Sequence, residues 1–384
     1  MSITPKGDAT IAFLPVDNGD TTLITLADRT TLLFDVSHRT STAGVYDVHR
    51  HLLEEVRSNA SGAKVLDVFV LSHGDQDHCR GADAILHLAP PDDHGESQRK
   101  EGRLLVGELW VPARLFDRRD SELCDDAKAI RREARRRLRL SRERAAARNA
   151  EGNRLRVVGH SDSSDLSGVE NSVFAIPGTA HNQFNGASRS DFEVFIHAPF
   201  KAETDGDLNG RNETSIVVQA RFAVADVRRA GLVFLGGDAD CPIWERIHDI
   251  SDHEALEWHI LLAPHHCSWT FFSEGPSEDE EPSDKVLAFL DRRRPGARVV
   301  ASCKPIRDDD VNPPHHVAAE QYRAKVGIDN LIATGDHGSD ENPEPIFFRM
   351  TRGGPQKTTY DVRSVKAAAS MVGAVSIPRT YGCR

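Results

Sequence analysis

The sequence lacks any segment that could cross a membrane as a helix. No apolar run approaches the ~20 residues that a membrane-spanning helix needs, and residues Met1 to Asp8 lack the apolar core of a signal peptide. The six cysteines include no CxxC pair, which argues against the disulfide framework of a small secreted protein. These absences predict a cytoplasmic protein with reduced cysteines and no membrane association.

Basic residues are outnumbered by acidic ones, and the 384-residue chain has a formal net charge of −11. This balance argues against a protein that coats nucleic acid with its whole surface. Positive charge is concentrated between Lys128 and Arg148, where ten Lys or Arg residues accompany only Glu133 and Glu143. Any contact with a polyanion is therefore expected to be local.

A hydrophobic run at residues 66–71 is followed by four side chains that can bind metal, namely His73, Asp75, Asp77 and His78. The run is typical of a buried strand, so the four side chains lie on the loop that leaves its end. Imidazole nitrogens together with carboxylate oxygens suit zinc, manganese or iron(II), whereas an all-oxygen set would indicate calcium or magnesium. The alternative is an ordinary solvated turn.

Two later hydrophobic runs are also followed by side chains that can bind metal. Residues 232–235 precede Asp238, and residues 260–264 precede His265 and His266. Three buried strands that release potential ligands at one edge predict a binuclear metal site. Asp240 is expected instead to cap the helix that starts near residue 242.

The order of predicted elements indicates an α/β protein. Strands at about 10–17, 21–28 and 30–37 precede a helix at about 46–57, a strand at 66–72 and a helix at about 79–89. From about residue 172, strands alternate with helices near 242–250, 284–291 and 316–326. Hairpin-paired strands followed by helical crossovers predict the two halves of an αββα sandwich.

The motifs resemble the metallo-β-lactamase fold superfamily and, within it, the hydrolase domain of ComEC-type DNA-uptake proteins. The superfamily's His-x-His-x-Asp-His motif is similar to residues 73–78, with Asp75 in place of the second His, as in the ComEC-type branch. Further similar segments are residues 16–20, 33–37 and 212–217, Gly237-Asp238 and His265-His266-x-Ser268. The resemblance implies the αββα sandwich of that superfamily.

The resemblance extends from about residue 10 to about residue 350. Residues 1–354 are accordingly expected to form the hydrolase domain, with the basic residues in a helical insertion at about 120–150. Residues 355–384 form a C-terminal extension to which the sequence assigns no role.

The sequence departs from the branch's pattern at three places. Asp17 and Asn18 replace the usual Gly and Gln of the first hairpin, and Cys267 stands where the branch has Gly. The third-motif histidine of the superfamily is missing, and its place in chain order falls at Asn212. His181 is the alternative source of that imidazole.

The resemblance implies a site for two divalent transition-metal ions, zinc or manganese. The implied ligands are His73 and Asp75 for the first ion, Asp77, His78 and His265 for the second, and Asp238 as a bridge. A two-metal centre lowers the pKa of a bridging water towards neutrality. Asp77 and Asp238 are therefore the expected catalytic carboxylates.

Two further residues receive supporting roles. Asp35 is expected to orient a ligand histidine. His266 is expected to contact the scissile phosphate or to protonate the leaving group, with a structural or solvated histidine as the alternative.

The helical spacing of Ile130, Ala134 and Leu138 predicts an apolar face that packs on the core. The opposite face of this helix is rich in arginine, which presents paired donors to phosphate. The residues expected to contact a nucleic-acid backbone are Arg132, Arg136 and Arg139. The alternative is a solvated amphipathic helix whose basic face binds no partner.

The implied function is a metal-dependent phosphodiesterase, and specifically a DNA nuclease, because ComEC-type domains are thought to degrade DNA. The fold does not decide this, because the superfamily hosts several chemistries. The alternatives are a small-molecule hydrolase of cyclic nucleotides, esters or lactones, and a regulatory subunit with a degenerate metal site. Protein partners in a multi-gene defence system are a further expectation that the sequence does not demonstrate.

Overall fold

The computed structural model describes residues 7–40, 42, 44–117, 119–160, 164–201, 214–277, 280–309 and 313–359. Within these residues the chain forms a mixed α/β structure with two large β-sheets and one small two-stranded sheet. No helix in these ranges is long and apolar enough to cross a membrane.

The first sheet is built mainly from the N-terminal part of the chain. Its strands up to residue 175 are β1 (Thr10–Phe13), β2 (Thr22–Thr25), β3 (Thr31–Phe34), β4 (Arg57–Ser58), β5 (Lys64–Val70), β6 (Leu86–His87), β7 (Leu104–Pro112), β8 (Arg154–Val158) and β9 (Phe174–Ala175). The hairpin strands β1, β2 and β3 are antiparallel, and β3, β5, β7, β8 and β9 then follow as parallel neighbours. The predicted change from hairpins to crossovers is confirmed.

The second sheet follows in the chain. Its strands and the small separate hairpin are β10 (Ala180–His181), β11 (Gln183–Phe184), β12 (Ala187–Ser188), β13 (Phe192–Ala198), β14 (Val217–Val224), β15 (Val227–Leu235), β16 (Trp258–Leu262), β17 (Arg293–Ala301) and β18 (Leu331–Ala333). β15, β16, β17 and β18 run parallel to one another. β19 (Ile346–Thr351) and β20 (Gly354–Thr358) return to the first sheet beside β1, so that sheet continues past residue 354.

The helices connect these strands. They are α1 (Val48–Glu55), α2 (Gln76–Cys79), α3 (Ala82–Ile85), α4 (Glu96–Lys100), α5 (Asp125–Arg142), α6 (Cys241–Ile250), α7 (Pro264–Cys267), α8 (Asp284–Leu290) and α9 (His316–Val326). The single helix predicted at about 79–89 is wrong, because Gly81 takes a left-handed φ of 73° and separates α2 from α3. The predicted apolar face of α5 is confirmed in the core beneath it.

Two sheets lie face to face, and helices cover both outer surfaces. β5 contributes Phe69 to a cluster beneath α1 and α5, and Val70 to the cluster between the sheets. β15 contributes Val233 to the same inner cluster and Phe234 to the cluster beneath α6, α8 and α9. Alternation along each strand therefore produces four layers, with helices outside and sheets inside.

The ends of β5, β15 and β16 meet at one edge of the two sheets. The backbone N–H of Ile216 donates to Ser72 O at 3.0 Å, which joins the loop after β5 to the second sheet. The N–H of His265, after β16, donates to Gly237 O, after β15, at 3.0 Å. The three ligand-bearing segments of the sequence are therefore adjacent.

Candidate metal centre

The carboxylate of Asp238 lies at the centre of four histidines. Its Oδ1 atom is 2.9 Å from Nε2 of His78 and 3.6 Å from Nε2 of His266. Its Oδ2 atom is 3.5 Å from Nε2 of His73 and 3.7 Å from Nε2 of His265. Each oxygen of this buried carboxylate therefore faces its own pair of imidazoles.

The side chains around Oδ1 form the more compact half, here named the Oδ1 group, which consists of Asp77, His78 and His266. Oδ2 of Asp77 lies 3.2 Å from Nε2 of His266. One ligand atom from each of these residues and from Asp238 lies within 4.8 Å of all the others. The structure thus contains a potential metal site with two carboxylates and two imidazoles, a donor set that suits a transition metal.

The side chains around Oδ2, here named the Oδ2 group, are His73, Asp75 and His265. Oδ2 of Asp75 lies 3.7 Å from Nε2 of His73. His265 is the more accessible histidine, with 24% of its side chain exposed, and its Nδ1 lies 3.5 Å from Oδ1 of Asp240. Asp240 occupies the position before α6, but its side chain does not make the predicted capping hydrogen bond.

The two adjacent histidines lie in places that differ from the sequence expectation. His266, expected as a phosphate contact or proton donor, lies in the Oδ1 group, whereas His265, expected there, lies in the Oδ2 group. His265, His266 and Cys267 have φ values of 50°, 55° and 68°, which are uncommon outside glycine. This left-handed turn takes up three of the four residues of α7, which is therefore not a regular right-handed helix. The turn sends the two rings to opposite oxygens of Asp238. Such angles persist only where the surrounding structure fixes them, and a contact of 3.1 Å between Nδ1 of His266 and Ser302 O contributes here.

Asp35 fixes the ring of His78 from the side opposite Asp238. Oδ2 of Asp35 lies 2.8 Å from Nδ1 of His78, and the backbone N–H and hydroxyl of Ser72 both donate to the Asp35 carboxylate at 2.6 Å. A proton on Nδ1 that points to Asp35 would leave Nε2 available to bind a metal. The contact that the resemblance implied for Asp35 is present.

The ionisable groups of the centre are strongly coupled. Burial alone would lower the pKa of His266, but the negative charges of Asp238, Asp20 and Asp77 raise it to about 10. Burial alone would raise the pKa of Asp238, but His78 and His266 hold it well below its usual range. A cation at this place would need to displace protons from the imidazoles.

Several buried atoms of the centre support metal binding. Within the described residues, Nε2 of His73, Nε2 of His78 and Oδ1 of Asp238 are buried and make no hydrogen bond of normal geometry, although the last two atoms lie 2.9 Å apart. Buried polar atoms are normally hydrogen-bonded, so unpaired atoms that converge at one point require another partner. A metal ion would satisfy them, and the residues present therefore fit the cofactor that the sequence predicts.

An open cavity of about 640 Å³ leads to the Oδ1 group. Its lining includes Asp77, His265 and His266, together with Lys304 and Arg307 from the loop after β17. Both cationic residues are exposed. No motif in the sequence points to Lys304 or Arg307, although β17 is a parallel neighbour of β16 and its C-terminal loop leaves the same sheet edge.

His181, the proposed substitute for the missing third-motif histidine, is not in either group. His181 lies in β10, where its ring packs on Trp110 with centroids 6.0 Å apart and its Nε2 lies 3.0 Å from Thr179 Oγ1. Burial lowers the pKa of His181 to about 4. Asn212 lies outside the described residues.

The three arginines expected to contact nucleic acid differ in their surroundings. Arg136 donates to Glu133 at 2.7 Å and to Asn153 at 2.8 Å, so it is engaged within the fold. Arg132 and Arg139 are exposed on the surface of α5. These two remain accessible to a partner.

Comparison with known proteins adds little. No protein-family model matches the chain, and no curated protein matches it. Among solved structures, the chain is similar to a crystal structure described as that of a proposed metal-dependent hydrolase from Parabacteroides distasonis ATCC 8503. The TM-score is 0.34 and the identity 10%, over 85% of this chain and 92% of that chain. This similarity is too remote to transfer an activity.

Proposed function

We propose that the chain is a metal-dependent phosphodiesterase that cleaves nucleic acid, specifically DNA, on a metallo-β-lactamase αββα sandwich. The proposal rests on one observation: Asp77 and His266 of the Oδ1 group line a cavity of about 640 Å³ whose lining also includes Lys304 and Arg307. Carboxylates alone would repel an anionic substrate. Two cationic side chains beside a metal site match the charge of a phosphodiester.

We further propose that Asp238 shares its carboxylate between two transition-metal ions, zinc or manganese. The Oδ1 group would hold one ion and the Oδ2 group the other. His265 would then supply the imidazole that the superfamily's third motif provides elsewhere. When bound, such ions lower the pKa of a water towards neutrality and clamp the oxygens of the scissile group.

The side chains of the cavity have separate tasks in this proposal. Both ring nitrogens of His266 are engaged, Nδ1 with Ser302 O at 3.1 Å and Nε2 with Asp77 at 3.2 Å. His266 is therefore assigned to the metal rather than to proton transfer. Lys304 and Arg307 are assigned to substrate binding, where their charges attract and orient the phosphate.

A small-molecule hydrolase is the second candidate. Its supporting observation is the cavity volume of about 640 Å³, which lies within the roughly 300–1,000 Å³ typical of small-ligand sites. A cyclic nucleotide, an ester or a lactone would each be small enough to enter.

The test is a substrate panel with the zinc- or manganese-loaded protein and a matched Asp238→Asn variant. The panel contains linear DNA, circular DNA, RNA, a chromogenic phosphodiester, a cyclic nucleotide, an ester and a lactone. The proposal predicts metal-dependent cleavage of DNA and of the chromogenic phosphodiester, with loss of both in the variant. Hydrolysis of the ester or lactone alone would favour the second candidate and overturn the first.

A further inference from the structure

Two cysteines that the proposed function does not use lie close together beside the metal centre. Cys79 directly follows His78 at the end of α2, and Cys124 is the residue that precedes α5. Their sulfur atoms are 3.4 Å apart, although 45 positions separate them in sequence. This distance exceeds the ~2.05 Å of a disulfide bond by only about 1.3 Å.

The two segments are joined by more than this contact. The carboxylate of Asp126, in the first turn of α5, accepts the backbone N–H groups of Gly81 at 2.9 Å and of Asp83 at 3.0 Å. The contact between the sulfurs therefore belongs to a fixed junction between the metal-binding segment and α5.

The two cysteines also differ in access. Cys79 is buried, whereas Cys124 is only partly buried and can be reached from solvent. The contact with Cys79 lowers the pKa of Cys124 to about 7 and raises that of Cys79, so Cys124 is the sulfur that forms the thiolate and reacts with oxidants. Burial instead raises the pKa of Cys241 and of Cys267 to about 12.

We propose that Cys79 and Cys124 form a reversible disulfide that links the metal-binding segment to the start of α5. With hydrogen peroxide as oxidant, the Cys124 thiolate attacks one peroxide oxygen, breaks the O–O bond and becomes a sulfenic acid. The other oxygen leaves as hydroxide and takes up the proton that the Cys124 thiol released, which gives the first water. The sulfur of Cys79 then displaces the hydroxyl group, and its proton leaves with that group as water. Two thiols and one hydrogen peroxide thus give one disulfide and two waters, and a dithiol reductant reverses the change.

The disulfide also has an expected effect on metal retention, and this part rests on the proposed metal site. Cys79 adjoins His78, a ligand of the proposed site, and its sulfur lies 3.1 Å from the backbone oxygen of Asp75. Formation of the S–S bond pulls the Cys79 sulfur towards α5 and strains this arrangement. The oxidised protein is therefore expected to release metal faster than the reduced protein.

The disulfide is tested in the full-length chain carrying Cys383→Ser. This substitution removes the one cysteine that lies outside the described residues. The protein is treated with hydrogen peroxide, and its peptides are mapped by mass spectrometry without reduction. The expected result is a Cys79–Cys124 linked peptide, a monomer whose mass falls by two hydrogens, and reversal by dithiothreitol. If Cys79 and Cys124 are still free thiols when the other buried cysteines have already been oxidised, the proposal is overturned.

Two serine variants provide the controls. Cys124→Ser retains a good residue for the start of a helix and should lose the linked peptide, whereas Cys241→Ser should keep it.

The effect of the disulfide on metal retention is measured separately, by the rate at which zinc is transferred from the protein to a chromogenic chelator. Faster transfer after oxidation, absent in Cys124→Ser, supports the coupling to metal. Equal transfer with the disulfide formed overturns that coupling but leaves both the disulfide and the phosphodiesterase proposal intact.

Discussion

Asp35 Oδ2 lies 2.8 Å from Nδ1 of His78. Because the carboxylate fixes both the ring and its tautomer, Asp35→Asn should weaken metal binding by about 10- to 100-fold, the usual cost of losing such a partner. Competition with a zinc chelator measures the change. Asp329→Asn, at an exposed position, is the matched control and should leave the affinity unchanged. Wild-type affinity in Asp35→Asn would show that the contact does not support a ligand.

The cavity cations give a second prediction. Replacing Lys304 and Arg307 by Gln together should lower kcat/KM for DNA and for a chromogenic phosphodiester, because both substrates would need to reach the same cavity. Metal content should not change. Unaltered cleavage of both substrates would remove these residues from the substrate site.

A third prediction concerns Arg132 and Arg139, whose replacement is compared with that of Lys304 and Arg307. Their replacement by Gln should weaken DNA binding and reduce the slope of log affinity against log salt by about 1 for each lost phosphate contact. Cleavage of the small chromogenic substrate should stay at the wild-type rate. Arg136 is left unchanged because it is paired with Glu133. An unchanged salt slope would show that α5 does not contact the DNA.

The pH dependence of metal binding follows from His266, whose pKa in the metal-free chain is raised to about 10. A raised pKa stabilises the metal-free fold below pH ~6.5, the unfolded value, and this contribution is lost as pH rises towards 10. A metal must displace the same proton, so affinity should increase as pH rises above neutrality. Calorimetry in buffers of different ionisation enthalpy counts the protons released. Fewer should be released by His266→Gln, and an equal count would contradict the coupling.

The buried pair Glu133 and Arg137 should govern the stability of α5. Arg137 is fully buried and donates to Glu133 at 2.6 Å. Glu133→Ala leaves that guanidinium without its counter-charge, so the free energy of unfolding should fall by about 3–5 kcal/mol. Chemical denaturation measures it. The exposed Glu143→Ala on the same segment should change it little, and an equally small loss in Glu133→Ala would contradict this account.

The sequence predicted the parts of the fold that depend on local pattern. Hydrophobic runs located β5, β15 and β16, and polar residues after each run located the convergence on Asp238. The pairing of β20 with β19 was missed because residues 354–358 carry no hydrophobic run of their own.

The roles of single side chains were harder to predict. The places of His265 and His266 depend on a left-handed turn that no residue-type preference signals. The sequence predicts an arginine-rich face on α5 but assigns no place to Arg137, which turns inward because Glu133, one helical turn away, pairs with it in the core. Lys304 and Arg307 reach the cavity only through the parallel order of β16 and β17, which is a tertiary property.

The most direct test of the account is the metal content of the purified chain. The protein and its Asp238→Asn variant are loaded with zinc or manganese, dialysed and measured by elemental analysis. A centre built around Asp238 predicts up to two ions per chain in the protein and a clear loss in the folded variant. Metal content near zero in the protein, or equal content in both, would contradict a metal centre at Asp238.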